Sequence, residues 1–227
     1  PGSAGVPPGA VADTVVLPYN QVPVLDDTIA CVIVEPVAAN MGLVAPAPGF
    51  LQGLQDECTR VGALLIFDEV ITGFRLDIGG AQQVFGVIPD LTCLGKVIGG
   101  GLNVGAFGGR ADVMDHLAPL GPVYQAGTLS GNPLATAAGL AALSLLDQGA
   151  YEQLEGTAAH LAVGLQDAFD SAGVAAHVSR VGPLVGLYLA PTGTPGPVPA
   201  PVDYDGARAA DEAGYGRFFH AMLDAGV

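Results

Sequence analysis

Short apolar runs alternate with segments of helical periodicity in the first half of the chain. Residues 29–34 and 63–67 are continuous apolar runs, which are typical of strands buried on both faces of a parallel sheet. Between them, apolar positions recur at helical spacing at Leu51, Leu54, Cys58 and Val61. This order predicts a strand, a helix and a second strand. Because such crossovers are right-handed, both strands should end at the same edge of one sheet.

Further elements follow this unit along the chain. Residues 91–94 and 104–107 predict a third and a fourth strand, the fourth lying among glycines. Helices are expected at residues 112–117, in an Ala-rich segment at about 134–145, and at 151–169. The Ala-rich helix is apolar enough to be buried, whereas the last helix carries a single apolar stripe.

The pattern changes after residue 175. Residues 177–181 and 184–189 predict two short strands, and residues 191–201 form a loop rich in Pro and Gly. We therefore expect an α/β protein in which residues 1–149 form the C-terminal part of a large domain with a mostly parallel sheet. Residues 150–227 are expected to form an incomplete, smaller α+β domain.

Both ends of the chain suggest a longer protein. The first 27 residues are rich in Pro and Gly without any period, and the chain stops directly after an amphipathic stretch. The start also lacks the charged and apolar regions of a signal peptide. We expect a fragment.

Composition excludes several classes of function. The net charge of −15 arises from seven basic against 22 acidic residues, so no basic face is available to bind nucleic acid. Every apolar run is interrupted well short of the ~18 residues that a membrane span needs, which predicts a soluble protein without a membrane partner. The three cysteines, Cys31, Cys58 and Cys93, are far apart in sequence and form no C-x-x-C motif, and the four histidines are scattered. We predict no metal site and a reducing compartment, the cytoplasm.

Candidate chemistry centres on Lys96 and Asp68. Lys96 is the only lysine, and it lies between a predicted strand and the glycine run at residues 99–101 rather than on a charged helix face. Asp68 ends an apolar run, where an unpaired carboxylate is costly unless a cation meets it. Pyridoxal 5'-phosphate requires a lysine amine for its aldehyde and a carboxylate for its ring nitrogen. Taken alone, the pair is also compatible with a solvated lysine and a polar strand end.

The flanking residues decide between these interpretations. Residues 65–70 (LIFDEV), 72–75 (TGFR), 89–90 (PD) and 95–101 (GKVIGGG) resemble the signature of the class III aminotransferase superfamily. Residues 35–42, 79–82 and above all 121–133 (GPVYQAGTLSGNP) resemble its aminomutase branch. The stretch from residue 125 to 133 favours that branch over an ω-aminotransferase. The glycines after Lys96 lack the spacing of a P-loop or a dinucleotide fingerprint.

The resemblance implies a fold-type I, pyridoxal-phosphate-dependent transferase that works as a homodimer on a small-molecule substrate. The site residues that it implies are Lys96 as the Schiff-base lysine, Asp68 on the pyridine nitrogen, Val70 on the ring face, Asn40 near the phenolic oxygen, and Gly127 and Thr128 at the cofactor phosphate of the partner subunit. For Thr128 a local bond to the backbone is the alternative. For Glu69 and Arg75, which lie beside the site, we expect structural or interface roles, and a solvated or ion-paired strand end is the alternative.

The reaction implied by the resemblance is an intramolecular amino transfer that converts glutamate 1-semialdehyde to 5-aminolevulinate in tetrapyrrole biosynthesis. Two alternatives stay open: a class III ω-aminotransferase with a keto-acid acceptor, and a non-catalytic fragment. The family's phosphate-cradling and substrate-holding residues lie in an N-terminal half that this chain does not contain.

Overall fold

A four-stranded sheet forms the centre of the first part of the chain. The computed structural model describes residues 4–194 and 197–227. The strands lie in the order β1 to β4 and span Cys31–Val34, Leu64–Asp68, Leu91–Gly95 and Gly105–Gly109. β1, β2 and β3 are parallel, and β4 runs antiparallel to β3. The expected α/β architecture with a mostly parallel sheet is confirmed.

Helix α1 (Phe50–Val61) connects β1 to β2 and covers one face of the sheet. It ends at Gly62, which adopts the left-handed conformation (φ 79°) and donates its backbone N–H to the carbonyl of Cys58. Glycine suits this position because it carries no Cβ. The residues that α1 buries against the sheet are Phe50, Leu51, Leu54 and Cys58. They pack with Leu65 and Phe67 of β2, which confirms the predicted strand–helix–strand unit.

The first strand differs from the expectation of burial on both faces. Val32 and Val34 pack against the core under α1. On the opposite face Cys31 is exposed and Ile33 is 62% exposed. β1 is an edge strand in the described part of the chain, and α1 covers only one of its faces. The prediction of two-sided burial is therefore wrong for this strand.

Four further helices follow β2 along the chain. They are α2 (Gly80–Phe85), α3 (Ala111–Met114), α4 (Pro133–Leu143) and α5 (Gln148–Ser171). α2 was not predicted, and α3 is shorter than expected. A 3-10 turn, Lys96–Gly99, follows β3 directly.

Helix α4 corrects a second expectation. Only Ala135 and Gly139 are buried, whereas Leu134 and Leu140 are each 73% exposed. The small residues form the face that packs on the Lys96–Gly99 turn, and the leucines point elsewhere. The prediction that this whole helix is buried is wrong within this chain.

The second half consists of a hairpin packed against long helices. β5 (Ala176–Val181) and β6 (Leu184–Leu189) are antiparallel, close to the predicted strands, and α5 packs against them. The short α6 (Tyr204–Arg208) and α7 (Glu212–Asp224) end the chain. The predicted loop at residues 191–201 contains no helix or strand where it is described, and residues 195 and 196 lie outside the described part. The expected domain boundary after residue 149 falls in the first turn of α5 and stays a prediction.

Two contacts join this hairpin to the loops at the carboxyl edge of the sheet. The Tyr188 hydroxyl on β6 accepts the backbone N–H of Leu43 at 2.5 Å. Val181 and Leu184 of the hairpin pack against a small core that includes Val37 and Leu76. The hairpin therefore supports the loops that follow β1 and β2.

Candidate functional site

Three charged side chains follow the three parallel strands. Glu35 comes after β1, Asp68 ends β2, and Lys96 follows β3. Since the carboxyl ends of parallel strands meet at one edge, this edge gathers the charges, and ligands bind there in open α/β sheets. The fold thus places Asp68 and Lys96 at the same sheet edge.

Lys96 has an unusual backbone and an accessible side chain. Its φ of 49° lies in the left-handed region, which is uncommon for a residue with a Cβ and is found at functional sites. The residue is exposed, and no carboxylate lies within ion-pair distance of it among residues 4–194 and 197–227. An accessible amine held at a fixed turn is suited to bond a carbonyl carbon.

Asp68 and Val70 lie near the end of the strand that precedes Lys96, where Asp68 pairs in register with Cys93 of β3. The Asp68 carboxylate is half-buried, and its Oδ1 accepts the backbone N–H of Val70 at 3.1 Å. The Val70 side chain lies against Gly95, where an added Cβ would be 3.2 Å from Val70 Cγ1. Val70 and Lys96 also line one cavity of about 620 Å³, together with Arg75. The apolar wall and the amine therefore share a cavity, and the carboxylate lies at the same edge of the sheet.

Glu35 is a third charged group at this edge, and it was not among the predicted site residues. Burial raises the pKa of the Glu35 carboxyl, the backbone N–H groups of Ala39 and Asn40 lower it, the charge of Asp68 raises it, and the charge of Lys96 lowers it. Both charges are thus near enough to act on Glu35. In the sequence, the available signal was its position at the end of a buried strand parallel to that of Asp68.

Asn40 lies in the loop that follows Glu35. Its backbone N–H and that of Ala39 donate to Glu35 Oε2 at 3.3 and 3.1 Å. The side chain is exposed. The structure therefore places Asn40 on the same edge as Glu35, in a loop whose backbone the Glu35 carboxylate fixes.

Gly127 and Thr128 occupy an exposed turn before α4. The backbone N–H of Ser130 donates to the Gly127 carbonyl at 2.9 Å. Within the described residues, no hydrogen bond joins Gly127 or Thr128 to Lys96 or Asp68, and the Thr128 hydroxyl has no backbone partner. Asn132 caps α4 instead, by accepting from two backbone N–H groups. One chain alone does not bring these two residues to the lysine.

Glu69 differs from the expectation of a solvated or ion-paired strand end. Its side chain is 1% exposed, and it accepts hydrogen bonds from uncharged groups only. Arg75 is half-buried and donates its Nε–H to the carbonyl of Ile71 at 2.9 Å. The alternative of a solvated or ion-paired strand end is therefore wrong for Glu69, and its burial agrees with the structural role that we expect.

The donor set fits the cofactor that the sequence suggested. An accessible lysine, a half-buried carboxylate held by a backbone N–H, and an apolar wall are the groups that an aldehyde cofactor with a basic aromatic ring requires. Among the described residues, no group of three or more His, Cys, Asp or Glu is arranged so that it could hold a metal ion. No helix there is long and apolar enough to cross a membrane.

Fold and site together define an α/β protein with a lysine and a carboxylate at the carboxyl edge of a parallel sheet. The sequence profile of the family described as Aminotransferase class-III matches residues 16–227. The chain belongs to the class-III aminotransferase family.

Curated relatives extend the similarity to particular enzymes. The chain is 55% identical over 235 residues to the glutamate-1-semialdehyde 2,1-aminomutase of Desulfotalea psychrophila, with 100% of this chain and 53% of that protein covered. It is 52% identical over 235 residues to the enzyme of the same name from Bordetella avium, with the same two shares covered. The chain spans about half the length of the curated relatives it matches.

Solved structures share the fold. An omega-transaminase from Sphaerobacter thermophilus has a TM-score of 0.79 at 34% identity, with 94% of this chain and 49% of that chain covered. A variant glutamate-1-semialdehyde-aminomutase from Pseudomonas aeruginosa PAO1, in complex with PMP, has a TM-score of 0.76 at 28% identity, with 92% and 49% covered. The fold is therefore that of about half of a pyridoxal-phosphate transaminase.

Proposed function

We propose that the protein carrying this sequence is a pyridoxal-phosphate-dependent isomerase that converts glutamate 1-semialdehyde to 5-aminolevulinate. The observation that carries the proposal is the placement of Lys96 and Asp68 at one sheet edge, in a chain 55% identical to an enzyme named for that substrate. Substrate and product are isomers, because an amino group and an oxo group exchange places on neighbouring carbons. The reaction consumes no second substrate.

Each residue at the sheet edge has a separate role in this proposal. When bound, pyridoxal phosphate supplies an electron sink that stabilises negative charge on the substrate carbon. The Lys96 amine holds the cofactor's aldehyde carbon and, once displaced, moves protons at the substrate carbons. The Asp68 carboxylate would accept a hydrogen bond from the ring nitrogen and so favour its protonated form. Val70 packs on the ring face, and Asn40 binds near the phenolic oxygen.

A second subunit completes this proposal. Leu134 and Leu140 of α4 are each 73% exposed, and we assign the part of α4 that carries them to a subunit interface. Gly127 and Thr128 lie on the turn that leads into α4. In a homodimer formed through this interface, both residues would reach the cofactor phosphate of the partner subunit.

Two further assignments belong to the same proposal. Residues 1–149 belong to the cofactor-binding large domain and residues 150–227 to the small domain, a division supported by their separate sheets. We also place the protein in the cytoplasm. Three free cysteines support a reducing compartment.

A class III ω-aminotransferase is the second candidate, because the omega-transaminase is the structural neighbour with the TM-score of 0.79. The two reactions differ in stoichiometry. An aminotransferase needs an external keto acid as amino acceptor, whereas the isomerase turns over glutamate 1-semialdehyde alone. Turnover that depends on an added keto acid would favour the second candidate.

Reduction with borohydride tests the lysine assignment directly. The purified chain is mixed with pyridoxal phosphate, reduced and mapped by peptide mass spectrometry. Since Lys96 is the only lysine, only the N-terminal amine can compete for the label. We expect the label on Lys96 and its absence in Lys96→Ala.

Activity of the full reading frame provides the second arm of this test. We expect Lys96→Ala to lower the turnover of glutamate 1-semialdehyde by at least about 10²-fold, since general acid–base catalysis contributes ~10²- to 10⁴-fold. Arg60→Ala, a change at an exposed residue of α1, is the control and should retain the wild-type rate. Retained turnover in Lys96→Ala would refute the proposal.

A further inference from the structure

The carboxylate of Glu69 is buried without a cationic partner in the described part of the chain. Its Oε2 accepts from the Thr72 hydroxyl at 2.9 Å and from the Ala81 backbone N–H at 2.6 Å. Its Oε1 accepts from the side-chain amide of Gln82 at 2.9 Å and from the backbone N–H of Gln82 at 3.3 Å. An isolated buried carboxylate is costly, and these four donors offset the cost of removing it from water.

The four donors belong to segments that are separate in sequence. Thr72 lies in the turn after β2, whereas Ala81 and Gln82 lie in α2. The Gln82 amide also donates to the Thr92 hydroxyl on β3 at 3.0 Å. Glu69 therefore ties the end of β2 to the following turn, to α2 and to the neighbouring strand.

Gly80 permits this close approach. A Cβ at Gly80 would lie 2.3 Å from Glu69 Oε2, and the residue has a φ of +66° that side chains rarely adopt. The backbone of Glu69 is fixed as well: its N–H donates to the Cys93 carbonyl at 2.9 Å and its carbonyl accepts the N–H of Gly73 at 2.8 Å. Hydrogen bonds therefore fix both the backbone and the side chain of Glu69.

We propose that Glu69 is a positioning residue that fixes Asp68 and Val70 for the cofactor ring. Glu69 lies between these two residues in sequence, so any rotation of its backbone would move the carboxylate on one side and the apolar wall on the other. Displacements as small as 1 Å of a positioned group are costly to binding and catalysis. The inference rests on the proposed use of pyridoxal phosphate, and Glu69 itself does not touch the cofactor.

The test compares two variants with a matched control. Glu69→Met removes all four acceptor interactions while keeping a similar length. Glu69→Gln keeps most of them if the Gln82 amide turns over, because the new amide group can then donate to Gln82 Oε1. Glu57→Met is the control, since Glu57 also accepts a backbone N–H, that of Leu25, but lies on α1 beside Arg60.

Two readouts are measured on the full-length protein. Hydrogen exchange without cofactor follows the amides of residues 68–82, and an absorbance titration gives the dissociation constant for pyridoxal phosphate. In Glu69→Met we expect faster exchange in that segment and a dissociation constant raised roughly ten- to a hundredfold, the range seen when residues that orient metal ligands are replaced. Glu69→Gln should fall between Glu69→Met and wild type, and Glu57→Met should match wild type.

The outcomes separate this inference from the proposed function. If wild type does not bind pyridoxal phosphate, the proposed function fails, while local exchange in the variants still reports whether Glu69 fixes the segment. Unchanged exchange and affinity in both Glu69 variants would overturn the inference. So would exchange that rises evenly over the whole chain, because that result indicates a general loss of stability. If Glu69→Met does not fold, Glu69→Gln decides by the same two criteria.

Discussion

At the scale of single residues, Glu35 shows how the edge charges depend on one another. Its carboxyl is half-buried, and burial raises its pKa above the ordinary value of 4.5. The backbone N–H groups of Ala39 and Asn40 oppose this shift, and so does the charge of Lys96, whereas the charge of Asp68 adds to it. A raised pKa means that the folded protein holds this proton more tightly than the unfolded chain does.

Glu35 should therefore give folding stability a specific dependence on pH. The stabilisation from its proton is complete below pH 4.5, the ordinary value, and is lost as the pH rises through the higher folded pKa. In Glu35→Gln this component is absent. We expect the unfolding free energy of wild type, relative to Glu35→Gln, to fall by roughly 1 kcal/mol or less across that window, because solvent screens a half-exposed group.

Urea unfolding at several pH values between 4 and 7 measures this difference. Glu152→Gln is the matched control, since Glu152 is an exposed carboxylate on α5. Its difference from wild type should change less over the same range. A difference for Glu35→Gln that stays constant with pH would contradict the expectation.

Single residues also show what the sequence can and cannot reveal. The position of Asp68 and Lys96 at one sheet edge was predictable, because each follows a short apolar run. The burial of Glu69 was not, since its donors at Thr72, Ala81 and Gln82 gather only when the turn after β2 and α2 fold onto the sheet. A pattern along the chain contains no information on such a cluster of distant donors.

At the scale of elements, the turn that carries Lys96 is held by α4. A Cβ at Gly139 would lie 2.1 Å from the carbonyl oxygen of Ile98. A Cβ at Gly100 would lie 2.4 Å from the carbonyl oxygen of Ala138. Backbone thus packs directly on backbone, and the position of the lysine turn depends on small residues in a helix more than 30 residues further along the chain.

Gly139→Ala should consequently displace the lysine turn. The added methyl group meets a backbone carbonyl that cannot rotate away, and overpacking of this kind costs typically ~1–3 kcal/mol. We expect a lower unfolding free energy and slower borohydride labelling of Lys96. Gly156→Ala in α5 is the control, because no atom lies within 4 Å of its added Cβ. There, alanine should stabilise the helix by about 0.5–1 kcal/mol. Equal labelling rates in both variants would argue against the proposed contact.

The helices differ in how far the sequence could predict them. α1 and α5 have a clear apolar stripe, and their existence followed from periodicity. α2 did not, because its six residues are too few to show a period and Glu69 supplies the contacts at its start. α4 was expected to be buried because nearly all of it is apolar, yet apolarity does not reveal whether the covering surface belongs to the same chain.

At the scale of the whole molecule, the exposed apolar surfaces indicate missing contacts. Ile33 of the edge strand β1 is 62% exposed, and Leu134 and Leu140 of α4 are each 73% exposed. The chain spans about half the length of its curated relatives, 53% of each. The rest of a longer protein would account for the sheet surface, and a second subunit would account for α4 in the homodimer that we propose.

Leu140→Asp tests the assignment of α4 to the interface with a second subunit. A charge introduced at a desolvated interface is costly unless it is paired, so we expect the dimer dissociation constant of the full-length protein to rise at least about tenfold. Val163→Asp is the matched control, because Val163 is 61% exposed on α5, away from the lysine turn. Light scattering over a concentration series measures both. Dimers weakened equally by the two changes, or by neither, would exclude α4 from the interface. Weakening by Leu140→Asp alone, with a parallel loss of cofactor affinity, would support the placement of Gly127 and Thr128 beside the partner's cofactor.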